Sequence, residues 1–161
     1  MDRGRHRLAI GYVLSGSPAG EAGINHAVDL RYSCRFWGPF DLGLAGQIGH
    51  GSDGAQSLTR AAVMLNVGAE YLPKPWMTLR LDASLGWQLL SGTVRIGTDP
   101  LTGTEPKGMR AELSGGLGFN LVGNFWLLIR GGLAIDGVYP DALPSSTTLN
   151  GFLNAGLQFQ L

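Results

Sequence analysis

Residues 124–137, NFWLLIRGGLAIDG, alternate between two kinds of side chain, and this period of two constrains the fold most. Successive side chains of a strand point to opposite faces, so Arg130 and Asp136 share one face while Leu133 and Ile135 share the other. The same alternation recurs along the chain at residues 8–14, 28–36, 40–48, 61–71, 77–89, 109–121, 125–136 and 149–161. None of the eight apolar faces carries a charge. The sequence therefore predicts an all-β protein of eight strands.

The connections between these stretches alternate between short and long, which fixes how the strands are arranged. The short ones are Gly38-Pro39, Pro73-Lys74-Pro75 and Val122-Gly123-Asn124. The long ones lie near residues 16–23, 51–57, 91–107 and 138–147, and they are rich in Gly, Pro, Ser, Thr and Asp. Short turns thus share one end with both termini, as in an antiparallel up-and-down β-barrel. We expect a single barrel domain over residues 1–161.

Such a barrel is either soluble, with its apolar faces inward, or transmembrane, with those faces in lipid. The polar faces here hold small residues, arginines and acids but no lysine, whereas a face in bulk water usually collects Lys and Glu. A narrow eight-stranded lumen needs small side chains, and buried charges need partners. The predicted lumen ion-pair network is Asp29, Arg31, Arg35, Asp41, Glu70, Arg80, Asp82, Arg110, Glu112, Arg130 and Asp136.

Aromatic residues gather near the short turns, which also favours the transmembrane orientation. Amphipathic rings prefer the headgroup level, where they form a girdle around a membrane barrel. The predicted aromatic girdle is Phe36, Trp37, Phe40, Tyr71, Trp76, Phe119, Phe125, Trp126 and Phe159. The predicted strands are also long enough, when tilted by about 40°, to cross an apolar band about 25 Å tall.

In pattern and topology, from about Leu8 to Leu161, the chain resembles the eight-stranded bacterial outer-membrane β-barrels, the class that includes OmpA and OmpX. The closing residues 153–161, LNAGLQFQL, resemble the C-terminal strand by which such proteins are recognised for insertion. They depart from the usual terminal Phe or Trp, because the last aromatic is Phe159. The resemblance implies a bacterial outer-membrane location, with the lipid bilayer as partner, short turns in the periplasm and long loops outside.

Function is less constrained, since this class includes anchors, adhesins, pores and lipid-modifying enzymes. We expect a monomer with a structural or anchoring role, because eight strands leave a lumen just wide enough for side chains. The alternative is a narrow ion or small-solute pore, in which rearranged ion pairs open a path past the lumen glycines.

A further alternative is an outer-leaflet lipid hydrolase. His50 and Ser52 continue the lipid-facing row of the third stretch, where a histidine base could activate a serine. This is similar to the outer-membrane lipid A deacylases. Asp53, the adjacent acid, has the wrong parity to orient the histidine. We therefore predict a barrel without enzymatic activity.

Other functional classes lack support in the sequence. Twelve basic and twelve acidic residues cancel, so no basic footprint for nucleic acid is present. No apolar run approaches the roughly 20 residues of a membrane-spanning helix. Neither metal-ligand spacing nor a nucleotide fingerprint occurs, so we expect no metal and no cofactor.

Overall fold

The computed structural model describes residues 6–16, 25–52, 56–96, 99–102, 107–139 and 146–161. Its strands are β1 (His6–Gly16), β2 (Asn25–Trp37), β3 (Phe40–Ser52), β4 (Gln56–Lys74), β5 (Met77–Ile96), β6 (Asp99–Thr102), β7 (Lys107–Val122), β8 (Phe125–Tyr139) and β9 (Ser146–Gln160). Within this part of the chain, no helix has the length and apolar character needed to cross a membrane.

Eight of the strands close into an antiparallel barrel. Each pairs with its neighbour in the order β4-β3-β2-β1-β9-β8-β7-β5, and pairing between β4 and β5 closes the ring. The first and last strands meet along ten residue pairs, from Arg7 with Gln160 to Gly16 with Gly151. The predicted eight-stranded up-and-down barrel is thereby confirmed.

One strand was not predicted. β6 pairs with the last residues of β5, within the stretch that the sequence assigned to the longest loop. Gly and Pro favoured a loop there, but Thr93, Val94 and Ile96 are β-branched and suit a strand. Pro100 is tolerated because β6 pairs on one side only, with β5.

The described short turns share one construction. Each is a two-residue turn, at residues 38–39, 75–76 and 123–124, and each follows or adjoins a shift in strand register. Gly38 and Gly123 have φ of 52° and 54°, in the left-handed region that favours glycine. This geometry explains why these two turns carry glycine at the reversal.

The burial pattern is inverted relative to a soluble protein. Large apolar side chains point outward, as for Leu81, which is 65% exposed, while Asp41 and Arg110 are fully buried at 0%. A soluble protein seldom exposes a contiguous apolar surface of this extent. The alternation of β2, in which Leu30 and Tyr32 are exposed and Asp29 is buried, follows the predicted parity. The lumen is therefore polar and the outer wall apolar.

Candidate functional site

The lumen contains two separate groups of ion pairs, and together they hold all eleven of the charged residues expected there. The first group, here the lower cluster, lies toward the short turns and consists of Arg7, Arg35, Asp41, Glu70, Arg80 and Asp82. The second group, the upper cluster, consists of Asp29, Arg31, Arg60, Arg110, Glu112, Arg130 and Asp136.

Asp41 is the hub of the lower cluster. Its Oδ2 accepts from Arg7 Nη1 at 3.0 Å, and its Oδ1 accepts from Arg80 Nη2 at 2.7 Å. Arg80 Nε also donates to both oxygens of Asp82, at 2.9 and 2.8 Å. Arg80 and Asp82 are two residues apart on one strand, so their side chains share the lumen face.

Glu70 links the remaining members of the lower cluster. Its carboxylate pairs with Arg7 and with Arg35, and it accepts from Thr78 Oγ1 at 3.0 Å. Glu70 also lies directly opposite Arg80 across β4 and β5, so both side chains face the lumen at the same level. Each lower-cluster carboxylate thus has at least one arginine partner.

Asp29 gathers three donors in the middle of the barrel. Arg31 Nε donates at 2.8 Å, Arg130 Nη2 at 2.6 Å and Asn154 Nδ2 at 2.9 Å. These donors come from β2, β8 and β9, so the contact spans the lumen and is not confined to one strand. Charge-assisted bonds of this kind are stronger than neutral ones.

Glu112 connects the part of the upper cluster around Asp29 to the part around Asp136. It accepts from Arg31 Nη2 at 2.9 Å, from Arg110 Nε at 2.7 Å and from Gln47 Nε2 at 2.9 Å. Arg110 Nη1 then donates to both oxygens of Asp136, at 2.6 and 2.7 Å. Arg110 and Asp136 are direct cross-strand partners in β7 and β8.

Sequence reasoning missed two lumen arginines, Arg7 and Arg60. Each lies one residue before a predicted stretch, and each is buried inside the barrel. Extending the alternation by one residue would have found both, because Arg7 has the parity of Ala9 and Arg60 has that of Ala62.

One small cavity lies between the two clusters. A cavity of about 10 Å³ lies among Arg7, Arg31, Arg80 and Arg130, which is close to the minimum for one water molecule. An apolar cluster of Val13, Ala27, Ala134 and Phe152 is buried on the lumen side of β1, β2, β8 and β9. These apolar side chains do not solvate ions.

The aromatic residues occupy two positions in the wall. Near the short turns, rings pair between Trp37 and Phe40, with centroids 5.8 Å apart, and between Phe125 and Phe159, at 4.8 Å. The other predicted girdle residues near these turns are Phe36, Tyr71 and Trp76, which are exposed, and Phe119, which stacks on Trp76. The second position lies toward the long loops, where Trp87 is exposed. The predicted girdle did not include this residue.

Trp126 corrects the predicted girdle. Its side chain is only 2% exposed, so it lies within the barrel and not against lipid. Proximity to a turn suggested the girdle, but Trp126 has the parity of the inward-facing Leu128 and Arg130. Parity therefore outweighs closeness to the turn at this position.

The structure describes His50 but not the side chain of Ser52. His50 is exposed on the outer wall, and its Nδ1 lies 3.2 Å from Thr59 Oγ1, directly across β3 and β4. No described carboxylate makes a contact with this ring. The Ser52 side chain and Asp53 lie outside the described residues. In the described part of the chain, no three His, Cys, Asp or Glu residues are grouped to hold a metal ion.

Comparison with known proteins gives structural matches only. Neither a protein-family model nor a curated protein matches the chain. Neisserial surface protein A (NspA) matches with a TM-score of 0.67 at 11% identity, over 97% of this chain and 96% of that one. The outer membrane enzyme PagL matches with a TM-score of 0.62 at 12% identity, over 95% and 99%. Ail, the attachment invasion locus protein of Yersinia pestis, gives 0.59 at 12%, over 99% of both chains.

These matches and the inverted burial define the class of protein. The chain is a closed eight-stranded transmembrane β-barrel with the fold of outer-membrane proteins. Its structural neighbours include a surface protein, an attachment protein and an enzyme, so the fold is compatible with several roles.

Proposed function

We propose that this chain is a monomeric structural barrel of the bacterial outer membrane, with short turns in the periplasm and long loops outside. In this role the protein anchors and reinforces the bilayer, and it neither conducts solutes nor catalyses a reaction. The observation that carries the proposal is the lumen, where two ion-pair clusters and an apolar cluster fill the space between opposite walls.

The filled lumen argues against the pore. A conducting path needs continuous water, whereas the cavity found between the two clusters has room for about one molecule. Opening a path would require breaking contacts such as Arg80 to Asp41 at 2.7 Å, between fully or almost fully buried groups. Separating such a pair leaves an uncompensated buried charge, which costs about 3 to 5 kcal/mol.

Planar-bilayer recording tests this distinction. We expect the purified barrel to show no frequent discrete openings, and Arg80→Ala to raise conductance by weakening the lower cluster. Ser15→Ala, at a buried position outside both clusters, is the matched control. Frequent openings of the unmodified protein that change size or rate in Arg80→Ala would contradict the structural role and support the pore.

The hydrolase alternative is tested with purified lipid A. This alternative is supported by His50, which is exposed on the outer wall beside the Thr59 hydroxyl. It is weakened because no described acid contacts the His50 ring. A histidine base is usually oriented by such an acid. We expect no release of fatty acid by the unmodified protein. Release that is abolished by Ser52→Ala, and retained by Thr59→Ala, would show enzymatic activity.

The structural role has a cellular test. Removing the gene should make the outer membrane more permeable to a large antibiotic that is normally excluded. Complementation with His50→Ala should restore the barrier, because the ring takes no part in reinforcing the bilayer. Restoration by the unmodified gene but not by His50→Ala would contradict a purely structural role.

A further inference from the structure

The described lumen holds one more arginine than acids. The lower cluster has three of each, whereas the upper cluster has four arginines and three carboxylates. A net positive charge inside a closed barrel is unfavourable unless a counter-charge accompanies it. The imbalance therefore points to one particular arginine in the upper cluster.

Arg60 is the arginine with the weakest pairing. Its side chain is 10% exposed, and its Nη1 lies 3.6 Å from Asp136 Oδ2, beyond hydrogen-bond distance. Its Nε is buried without a hydrogen-bond partner. Asp136 is already occupied, because Arg110 Nη1 donates to both of its oxygens and Asn150 Nδ2 donates at 2.8 Å.

Arg110 adds a second unused donor beside the same carboxylate. Its side chain is fully buried, and its Nη2 has no hydrogen-bond partner. Arg60 and Arg110 therefore flank Asp136 with donors that no described acceptor satisfies. Single donor atoms are also unpartnered in Arg7, Arg35, Arg80 and Arg130, but each of those side chains pairs with a carboxylate through another nitrogen. Arg60 makes no described hydrogen bond, so an acceptor that carries negative charge fits beside it.

The location makes this position accessible from one side. Arg60 pairs in register with Gly49 and Leu90, near the long-loop ends of β3 and β5. Its partly exposed side chain therefore lies at the long-loop end of the upper cluster, away from the lower cluster. The planar guanidinium presents paired N–H donors that match the oxygens of phosphate or sulfate.

We propose that Arg60 and Arg110 form an anion-binding site at the outer mouth of the lumen, which takes a small free oxyanion from the aqueous phase. Six lumen carboxylates balance six of the seven described lumen arginines, and the anion supplies the remaining negative charge. A lipid phosphate has the same chemistry, but it sits against the outer wall and must enter the lumen to reach this site.

Inorganic phosphate tests the site in the full chain, folded in a neutral maltoside detergent at constant ionic strength. We expect phosphate to raise the melting temperature in a saturable way, because a ligand that binds only the folded state stabilises it. Isothermal titration should give one bound phosphate per barrel. Arg60→Gln should lose both signals, whereas Arg35→Gln, in the lower cluster, should keep them.

Arg60→Gln also separates binding from a folding defect. Without phosphate it should melt at or above the temperature of the unmodified protein, because it removes an uncompensated charge. Three results would overturn the proposal: no saturable effect of phosphate on the unmodified protein, an unchanged effect in Arg60→Gln, or a lower melting temperature of that variant without phosphate. Stabilisation by phosphatidylglycerol vesicles but not by free phosphate would likewise overturn it.

Discussion

Replacing Leu81 by arginine tests whether the outer wall lies in lipid. Trp87 lies eleven positions after Trp76, which is in the short turn before β5, and at about 3.3 Å per residue and a tilt of about 40° this is a height of roughly 28 Å. Both rings are exposed, as expected for residues at the two membrane interfaces. Leu81 lies five residues after Trp76 and is therefore close to the midplane.

Leu81→Arg should lower the free energy of unfolding by about 2 to 4 kcal/mol, the cost of arginine at the bilayer midplane. The same change at Leu89, on the same strand and face but beyond Trp87, should cost about 0 to 1 kcal/mol because the position is near the interface. The two variants differ only in depth, so the difference between them isolates the effect of the membrane.

Urea unfolding of the barrel folded into phospholipid vesicles, followed by tryptophan fluorescence, measures both variants. The midpoint of Leu81→Arg should fall well below that of Leu89→Arg. Equal midpoints for the two variants would refute the assigned membrane position, and a freely soluble, detergent-independent unmodified protein would refute the inverted barrel itself.

The remaining predictions concern the lumen and the strand contacts, and both use the same unfolding assay. Asp29→Ala leaves Arg130 without a described acidic partner within 4.0 Å and should lower the free energy of unfolding by about 3 to 5 kcal/mol. The double variant with Arg130→Met should lose less than the sum of the two single variants. Strict additivity would argue against the pairing. Gly43→Ala should cost about 1 to 3 kcal/mol because its Cβ would lie 2.1 Å from the Tyr32 carbonyl oxygen. Gly46→Ala, on the same strand with open space, is the control and should be neutral or slightly stabilising.

Alternation along the chain was enough to predict the eight strands of the barrel but not β6, since a period of two records which side chains share a face. It also placed Arg130 and Asp136 on the lumen side. Alternation does not determine partners, however, because these depend on how distant strands meet around the ring. Arg130 pairs with Asp29, 101 residues away, and not with the Asp136 of its own strand.

One predicted girdle residue was placed on the wrong face. Trp126 was placed in the girdle because it is near a turn, although its parity directs it inward. Phe152 lies on the inward face of its strand, where it completes an apolar cluster with Val13 and Ala134. The partners of such a side chain depend on the space left between the walls of the barrel, which a single strand does not encode.

A lumen filled by its own side chains restricts where this protein can act. Asp41 and Asp29 each accept from two arginines, so these carboxylates have little capacity left for a solute. Recruiting them would first require breaking buried contacts, whereas Arg60 at the mouth retains an unused donor. Single donor atoms of Arg7, Arg80 and Arg130 are also unpartnered, but each of these side chains already pairs with a carboxylate through another nitrogen. We therefore expect binding by the described part of this barrel at its outer mouth, where Arg60 makes no described hydrogen bond.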